Sequence, residues 1–402
     1  MRPARADNAA ILPFFNYTKS ASLDWIGESI AERVRETLAS EGLLVCSRED
    51  RQEVYHRLAI RPNAILTRAS IFKVGQSLDA TQVIFGQVEL TPASAAPPAT
   101  GAAAANATPA QAAVPSAPDS RATLGGTIRL TGFVIDLKHM HLGPTFTTEG
   151  KMTDLSVLQT KLAWLVLHYL SPKLEVSEEE FLRTRPPVRV DAMESYIRGL
   201  LAGPDDLKIK LFTQAAKLDD HYSEPAFQLG RIYFSMKNYR DSSLWFAKVT
   251  NTDSHYMEAL FFLGLCRYYQ GDYESAIRQF QTVASYVPLD EVFNNLGAAE
   301  LRLDKPEATE NFRKALEGDD ADPDYWFNLG LALWKQGQFN DAKVKFVSAL
   351  ERNPQDEEAR DLMGRAMRSE PWRANSPAPK ERIKTSFEQT AFLQLKAELK
   401  QK

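Results

Sequence analysis

Apolar positions along this chain keep two different rhythms, and the change between them divides it. In the first part, short apolar runs alternate with helical stretches. AAILPFF (9–15) is an unbroken apolar run of strand length. Between Leu23 and Ser40, residues Ile26, Ile30, Val34 and Leu38 fall four apart, on one helical face. Gly42 ends that helix, and LLVC (43–46) predicts the next strand. Helical patterns follow over 50–58 and 67–78, then a strand TQVIFGQVEL (81–90). TIRLTGFVIDL (127–137) and a segment at 145–151 read as paired strands, and Asp154 is the expected cap of a last helix, Leu155 to Leu170. Strands alternating with helices, then paired strands, predict a two-layer α/β domain with a mixed sheet.

In the second part the rhythm is helical throughout and it repeats. Leu-Gly recurs at Gly230, Gly264, Gly297 and Gly330, then Met-Gly at Gly364, at spacings of 34, 33, 33 and 34. Eleven or twelve residues after each of the first four comes a small residue: Ser242, Ala276, Ala308, Ala342. Four further on comes Phe246, Phe280, Phe312 or Phe346. A fixed period of this length predicts stacked helical hairpins, an α-solenoid. No such hairpin buries its apolar face alone, so several stack. Glycine inside a helix costs about 1 kcal/mol against alanine. The expected return is a close crossing of two antiparallel helices, with Gly330 facing Ala342. Gly271 and Gly337 suit the left-handed residue that ends a helix, and Pro288, Pro323 and Pro354 fall between repeats.

Trp326, Leu329, Gly330, Ala342, Phe346, Ala349 and Pro354 stand at the signature spacing of the tetratricopeptide repeat family, which residues 188–370 resemble. The first copy is degenerate, with Tyr196 at the glycine position, followed by Phe212 and Ala215; the last has one helix, Asp356 to Ser369. The resemblance implies a superhelix whose inner face is lined by the first helix of each hairpin. The matching positions are Phe227, Arg231 and Phe234; Phe261, Leu265, Tyr268 and Tyr269; Asn294, Ala298, Leu301 and Arg302; Phe327, Leu331 and Trp334. An aromatic-rich groove of this kind would hold an extended peptide or a partner helix. The lysine and asparagine set that clamps a terminal carboxylate in some relatives is not evident, and Asn295 and Asn328 fit a common structural place in the repeat. The first part resembles the TolB amino-terminal-like family over residues 8–172, through ILPFFN (11–16), the helix from Leu23, VIFGQV (83–88) and RLTGFVIDL. That resemblance implies no catalytic residues and points to envelope assembly or to larger signalling chains.

Two further segments stand apart. Residues 92–120 are nearly all Ala, Pro, Ser and Thr and predict a disordered loop between strands. In the stretch 371–402, PWRANSPAPKERIK reads as linker, followed by an amphipathic helix from Ser386. Ser386 with Gln389 suits a capping box, and Phe387, Ala391, Leu395 and Leu399 share a face that must lie on something. The repeats themselves, another protein and a membrane surface are the three candidates.

Composition narrows the function. Net charge is −4, which carries no signature for nucleic acid. No apolar run reaches the roughly 18 residues of a membrane span. No signal peptide is visible, so the chain as written suits the cytoplasm, or the periplasm or envelope if a leader lies upstream of Met1. Cys46 and Cys266 are too few and too far apart for a disulfide framework or metal cluster. GESIA (27–31) faintly resembles a nucleophile elbow, but its serine falls inside a helix. His139 and His141 lack the companions that a metal site needs. The expectation is therefore a non-enzymatic adaptor or scaffold that binds protein or peptide, without cofactor or metal. The alternatives are an envelope assembly component and a small-molecule-sensing module.

Overall fold

The computed structural model describes residues 8–91, 126–372, 379–388, 391, 392 and 395, apart from positions 19, 175 and 252. The Ala/Pro-rich stretch 92–120 lies outside them, as do Gln389 and Leu399. The chain forms two compact units, 1–201 and 202–402.

In the first unit a mixed sheet is built from β1 (Asn8–Ile11), β2 (Phe15–Asn16), β3 (Leu44–Val45), β4 (Gln82–Thr91), β5 (Thr127–Asp136), β6 (His141–Leu142) and β7 (Phe146–Lys151). β1 lies between β3 and β4, parallel to both; β4 pairs antiparallel with β5, which pairs with β6 and β7. The apolar run 9–15 thus divides into two short parallel strands, with Pro13, which has no N–H to give a ladder, between them. The helices are α1 (Trp25–Ser40), α2 (Arg48–Arg57), α3 (Arg68–Ser77), α4 (Leu155–Leu170), α5 (Glu178–Arg183) and α6 (Val190–Leu201).

The α/β class and mixed sheet are as the sequence predicts, but helices cover both faces of the sheet rather than one. Val54 of α2 and Ile71 and Val74 of α3 pack with Ala10, Leu12, Val83 and Phe85 on one face. On the other, Leu162 of α4 lies beside Gly132 of β5. A strand covered on both sides is apolar without alternation, and Val83 to Gly86 are all buried in sequence. Asp154 makes no capping bond to α4, contrary to expectation: its ψ of 13° is not the extended backbone of a cap, and a short 3-10 turn leads in instead. α6, which contains Tyr196, packs against α1 within this first unit.

The second unit is a run of antiparallel helices: α7 (Asp205–Leu218), α8 (Glu224–Ser235), α9 (Tyr239–Phe246), α10 (Tyr256–Tyr269), α11 (Tyr273–Tyr286), α12 (Asp290–Arg302), α13 (Ala308–Gly318), α14 (Pro323–Lys335), α15 (Phe339–Arg352) and α16 (Glu357–Met367). α8/α9, α10/α11, α12/α13 and α14/α15 are the four hairpins. Each turns through one left-handed residue at the repeat period: Lys237, Gly271, Asp304 and Gly337, with φ of 58, 80, 51 and 77°. One apolar core runs through the stack, from Phe227 to Ala366.

The repeat glycines serve a different neighbour from the one expected. A Cβ on Gly230, Gly264 or Gly330 would meet the ring of Phe246, Phe280 or Phe346 at 2.7, 2.7 or 2.9 Å. The small residue stays close by: the Ala308 carbonyl is as near as the Phe312 ring, both 3.0 Å from a Cβ on Gly297, and the Ser242 hydroxyl donates to the Gly230 carbonyl at 2.8 Å. The glycine makes room for the phenylalanine, one turn beyond the small residue.

That reading gives a test. Gly264→Ala gains about 1 kcal/mol of helix propensity but pushes into the buried Phe280 ring, at about 1–3 kcal/mol for overpacking. Urea unfolding is expected to show net destabilisation, while Gly203→Ala, with open space around it, stays within about 0.5 kcal/mol of wild type. A stabilised Gly264→Ala chain would contradict the packing role.

Candidate peptide-binding groove

The first helices of the hairpins, α10, α12, α14 and α16, line a groove, and the chain's own residues 381–388 lie along it. The segment runs from α16 and α14 back towards α10. Asparagine amides hold its main chain at every second residue. The Arg382 N–H donates to Asn328 Oδ1 (2.8 Å), and the Arg382 carbonyl accepts from Asn328 Nδ2 (2.9 Å) and Asn294 Nδ2 (2.8 Å). The Lys384 N–H donates to Asn295 Oδ1 (2.9 Å), and its carbonyl accepts from Asn295 Nδ2 (2.7 Å). Asn328 Nδ2 also donates to Asn294 Oδ1 (2.8 Å), which fixes the amide orientations. A side-chain amide carries both a donor and an acceptor, so one asparagine satisfies both main-chain groups of a residue, as a neighbouring β-strand would.

Four side chains of the segment, those of Glu381, Arg382, Lys384 and Phe387, meet partners of matching character. Arg382 Nη2 donates to Asp356 Oδ1 (2.8 Å), Nη1 to Asp324 Oδ1 (3.2 Å), and the guanidinium lies 3.6 Å from the Phe327 ring centroid. Burial would raise the Asp356 carboxyl, but Arg382 and the first amides of α16 hold it below the usual range. Lys384 Nζ meets Asp322 at 2.6 Å and Asp324 at 2.7 Å. Burial works against its charge, and these two carboxylates outweigh it, holding the ammonium above its usual range. On the other side, the Glu381 carboxylate is fully buried and takes Arg302 at 2.7 Å and the Tyr268 hydroxyl at 3.1 Å. Burial and that carboxylate push the Tyr268 phenol up. Phe387 meets Phe261 edge-on at 5.0 Å, the Glu388 N–H donates to Glu291 Oε1 at 3.0 Å, and Phe392 is buried in the repeat core.

Of the residues expected to line the groove, Asn294, Arg302, Tyr268, Phe261 and Phe327 meet the segment, while Ala298 and Leu301 are buried in the repeat core. Leu265 and Leu331 are fully buried in the repeat core, and Phe227 stacks on His255 and meets Phe246 beneath it. Trp334 is buried, its indole N–H donating to the Glu370 carbonyl at 2.9 Å. Phe234 packs among Tyr239 and Phe262, Tyr269 stacks on Tyr239 and is exposed, and Arg231 is exposed. From sequence, Asn295 and Asn328 fit a structural place in the repeat, Asp322, Asp324 and Asp356 do not stand out as contacts, and KERIK reads as linker. One signal was available: Asn295 and Asn328 each precede a repeat glycine by two, a polar residue at a buried inner position. The helix expected from Ser386 begins later: residues 386–388 are not helical, helix is described at Ala391, Phe392 and Leu395, and Gln389 of the expected capping box lies outside the described residues.

The other candidates are satisfied internally. Ser29 sits within α1, its hydroxyl buried 3.1 Å from Gln159 Oε1 and 2.9 Å from Met193 Sδ, with its one O–H given to one of them. His139 Nδ1 pairs with Asp136 Oδ2 at 2.8 Å across an exposed turn. Cys266 is buried beside Ser242, and burial pushes its thiol up to about 11. A shallow hollow beyond β1 and β2 is lined by Phe14, Tyr55, Asn16, Asp24 and Asn63, but Asn16 and Asn63 spend their amides on the Asp24 carboxylate. Among the described residues no cluster suits a metal ion, and no helix is long and apolar enough to cross a membrane.

Fold and groove together define a helical-hairpin solenoid that carries an extended segment of polypeptide on the first helices of its hairpins. Family models described as tetratricopeptide repeat match residues 258–289 and 323–356, so the array contains tetratricopeptide repeats. Comparison with curated proteins gave no match. Similar solved structures include YrrB, described as a TPR protein with an unusual peptide-binding site. It is 20% identical, with 39% of this chain and 82% of that chain covered and a TM-score of 0.35. MamA from Desulfovibrio magneticus RS-1 is 19% identical over 42% of this chain and 98% of its own, with a TM-score of 0.38.

Trypsin reads the groove directly, since it cuts after arginine and lysine. Replacing Asn295→Ala/Asn328→Ala removes every asparagine bond to the segment's main chain except that from Asn294, and cleavage after Arg382 and Lys384 is expected to accelerate at least about tenfold, the equivalent of one or two lost hydrogen bonds. Unchanged cleavage in a folded variant would show that the asparagines do not hold the segment.

Proposed function

We propose that the chain is a protein-interaction scaffold whose repeat groove recognises an extended peptide, and that it acts by binding rather than by catalysis. The observation that carries this reading is the asparagine register. Asn328 and Asn295 each serve both main-chain groups of one residue, and those residues are two apart, the repeat of an extended strand. A partner helix could not use the same groups, because its own main chain is already paired.

The groove's side walls carry Asp322, Asp324 and Asp356, which favours polypeptide over the phosphate backbone of nucleic acid. The aromatic residues act mainly from beneath, as the packed floor. The amino-terminal unit, through its resemblance to the TolB amino-terminal-like family, is read as a second docking unit that supplies no reaction of its own.

A displayed library of random peptides, selected on the full chain carrying Arg382→Ala/Lys384→Ala to loosen its own segment, tests this. Selected ligands are expected to lose at least about tenfold in affinity when Asn295→Ala/Asn328→Ala is added, in a chain of unchanged far-ultraviolet circular dichroism. Ligands indifferent to the asparagines would overturn the reading. Substituting Phe261, Phe327 or Trp334 would not test it, because all three are buried in the core and truncating any of them costs about 3–5 kcal/mol of stability whatever the groove binds.

A further inference from the structure

The asparagine contacts take any residue except proline, since they touch only the main chain. Selectivity must therefore come from the slots on either side, and those slots have a fixed order of charge. The first is cationic and phenolic, Arg302 with Tyr268, and it encloses the Glu381 carboxylate. The second is Asp324 with Asp356, which forks around the Arg382 guanidinium above the Phe327 face. Ile383 then packs against the repeat core. The last is Asp322 with Asp324, which takes the Lys384 ammonium. The asparagines fix the spacing of these slots, so a ligand with the same charges in another order would bring like charges together.

We propose that the groove receives, from a separate protein, an extended segment presenting a carboxylate, an arginine, an apolar residue and a lysine in that order, and that residues 381–384 are its standing competitor. This rests on the groove being a peptide receptor. The competitor is positioned to act: the Glu370 carbonyl is fixed by Trp334, and nine residues, 371–379, separate Glu370 from Lys380. A connection that short keeps the competing segment at an effective concentration of order millimolar. The contacts are also ones that can be exchanged. Arg382 and Lys384 each keep 20% of their side-chain surface in solvent, and their partners are side-chain carboxylates that an incoming arginine and lysine satisfy equally. A segment from outside must displace residues 381–384, so the chain answers only to a ligand abundant or multivalent enough to win.

The test uses a fluorescent synthetic peptide of residues 379–395 titrated into two full-length proteins, wild type and Arg382→Ala/Lys384→Ala. The variant is expected to bind it at least about tenfold more tightly than wild type, and a peptide carrying Arg382→Glu/Lys384→Glu is expected not to compete. Equal affinity for the two proteins would overturn the competitor role. Equal binding of the charge-reversed peptide, or no binding of either peptide to either folded protein, would overturn the ordered-charge receptor. Adding Asn295→Ala/Asn328→Ala to the variant separates the two levels of the account. If the peptide binds as tightly as before, the two asparagines do not hold it and the underlying reading fails. If only the charge order proves irrelevant, the groove reading stands and this inference falls.

Discussion

The second unit depends on one steric constraint: in each hairpin a glycine on the first helix leaves room for a phenylalanine ring from the second. At 2.7 to 3.0 Å from where a Cβ would stand, these rings allow no side chain without a shift. Helices brought this close share a continuous core, and their first members line up along one face. The repeat of 33 or 34 residues then becomes a repeat in space. That is why Asn295 and Asn328, 33 apart in sequence, can hold two residues of one extended segment. The groove is a consequence of the packing, and its polar register is written on top of it.

The asparagines meet two demands at once. They are fully buried, where an unpaired amide would cost about 1–3 kcal/mol. The segment between 381 and 388 supplies the partners they need, and they supply partners to a main chain that has no strand beside it. Charge then adds direction. The carboxylates of Asp322, Asp324 and Asp356 face the two cations, and Arg302 faces the one buried anion. A docked segment in this arrangement is a structural element of the array.

Much of this was legible from the residues, for reasons that differ by element. Ile26, Ile30, Val34 and Leu38 gave α1 because an apolar helix face must repeat its residues, although α1 is in fact buried on nearly every side, Glu28 and Glu32 included. The Leu-Gly period gave the solenoid because the packing constraint recurs in every hairpin. The glycine's true neighbour was less visible: spacing shows which residues recur, and cannot show whether Gly330 opposes Ala342 or Phe346. The second layer of helices on the sheet was missed although Val83 to Gly86 form an unbroken buried run. The groove was anticipated as aromatic because aromatics mark interfaces, yet Leu265, Leu331 and Trp334 are core. The contacting groups are polar, and neither KERIK nor the aspartates carry a period that would single them out. Their meeting is a long-range event, set by how the chain returns after α16.

Amide hydrogen exchange on the wild-type chain, resolved residue by residue across 380–388, tests the central claim most directly. The account predicts alternation: Arg382 and Lys384, whose N–H groups donate to Asn328 and Asn295, exchange more slowly than Ile383 and Thr385 after correction for intrinsic rates. Uniformly fast exchange across the segment would contradict it, because a main chain held by two asparagines cannot leave those two amides as open to water as their neighbours.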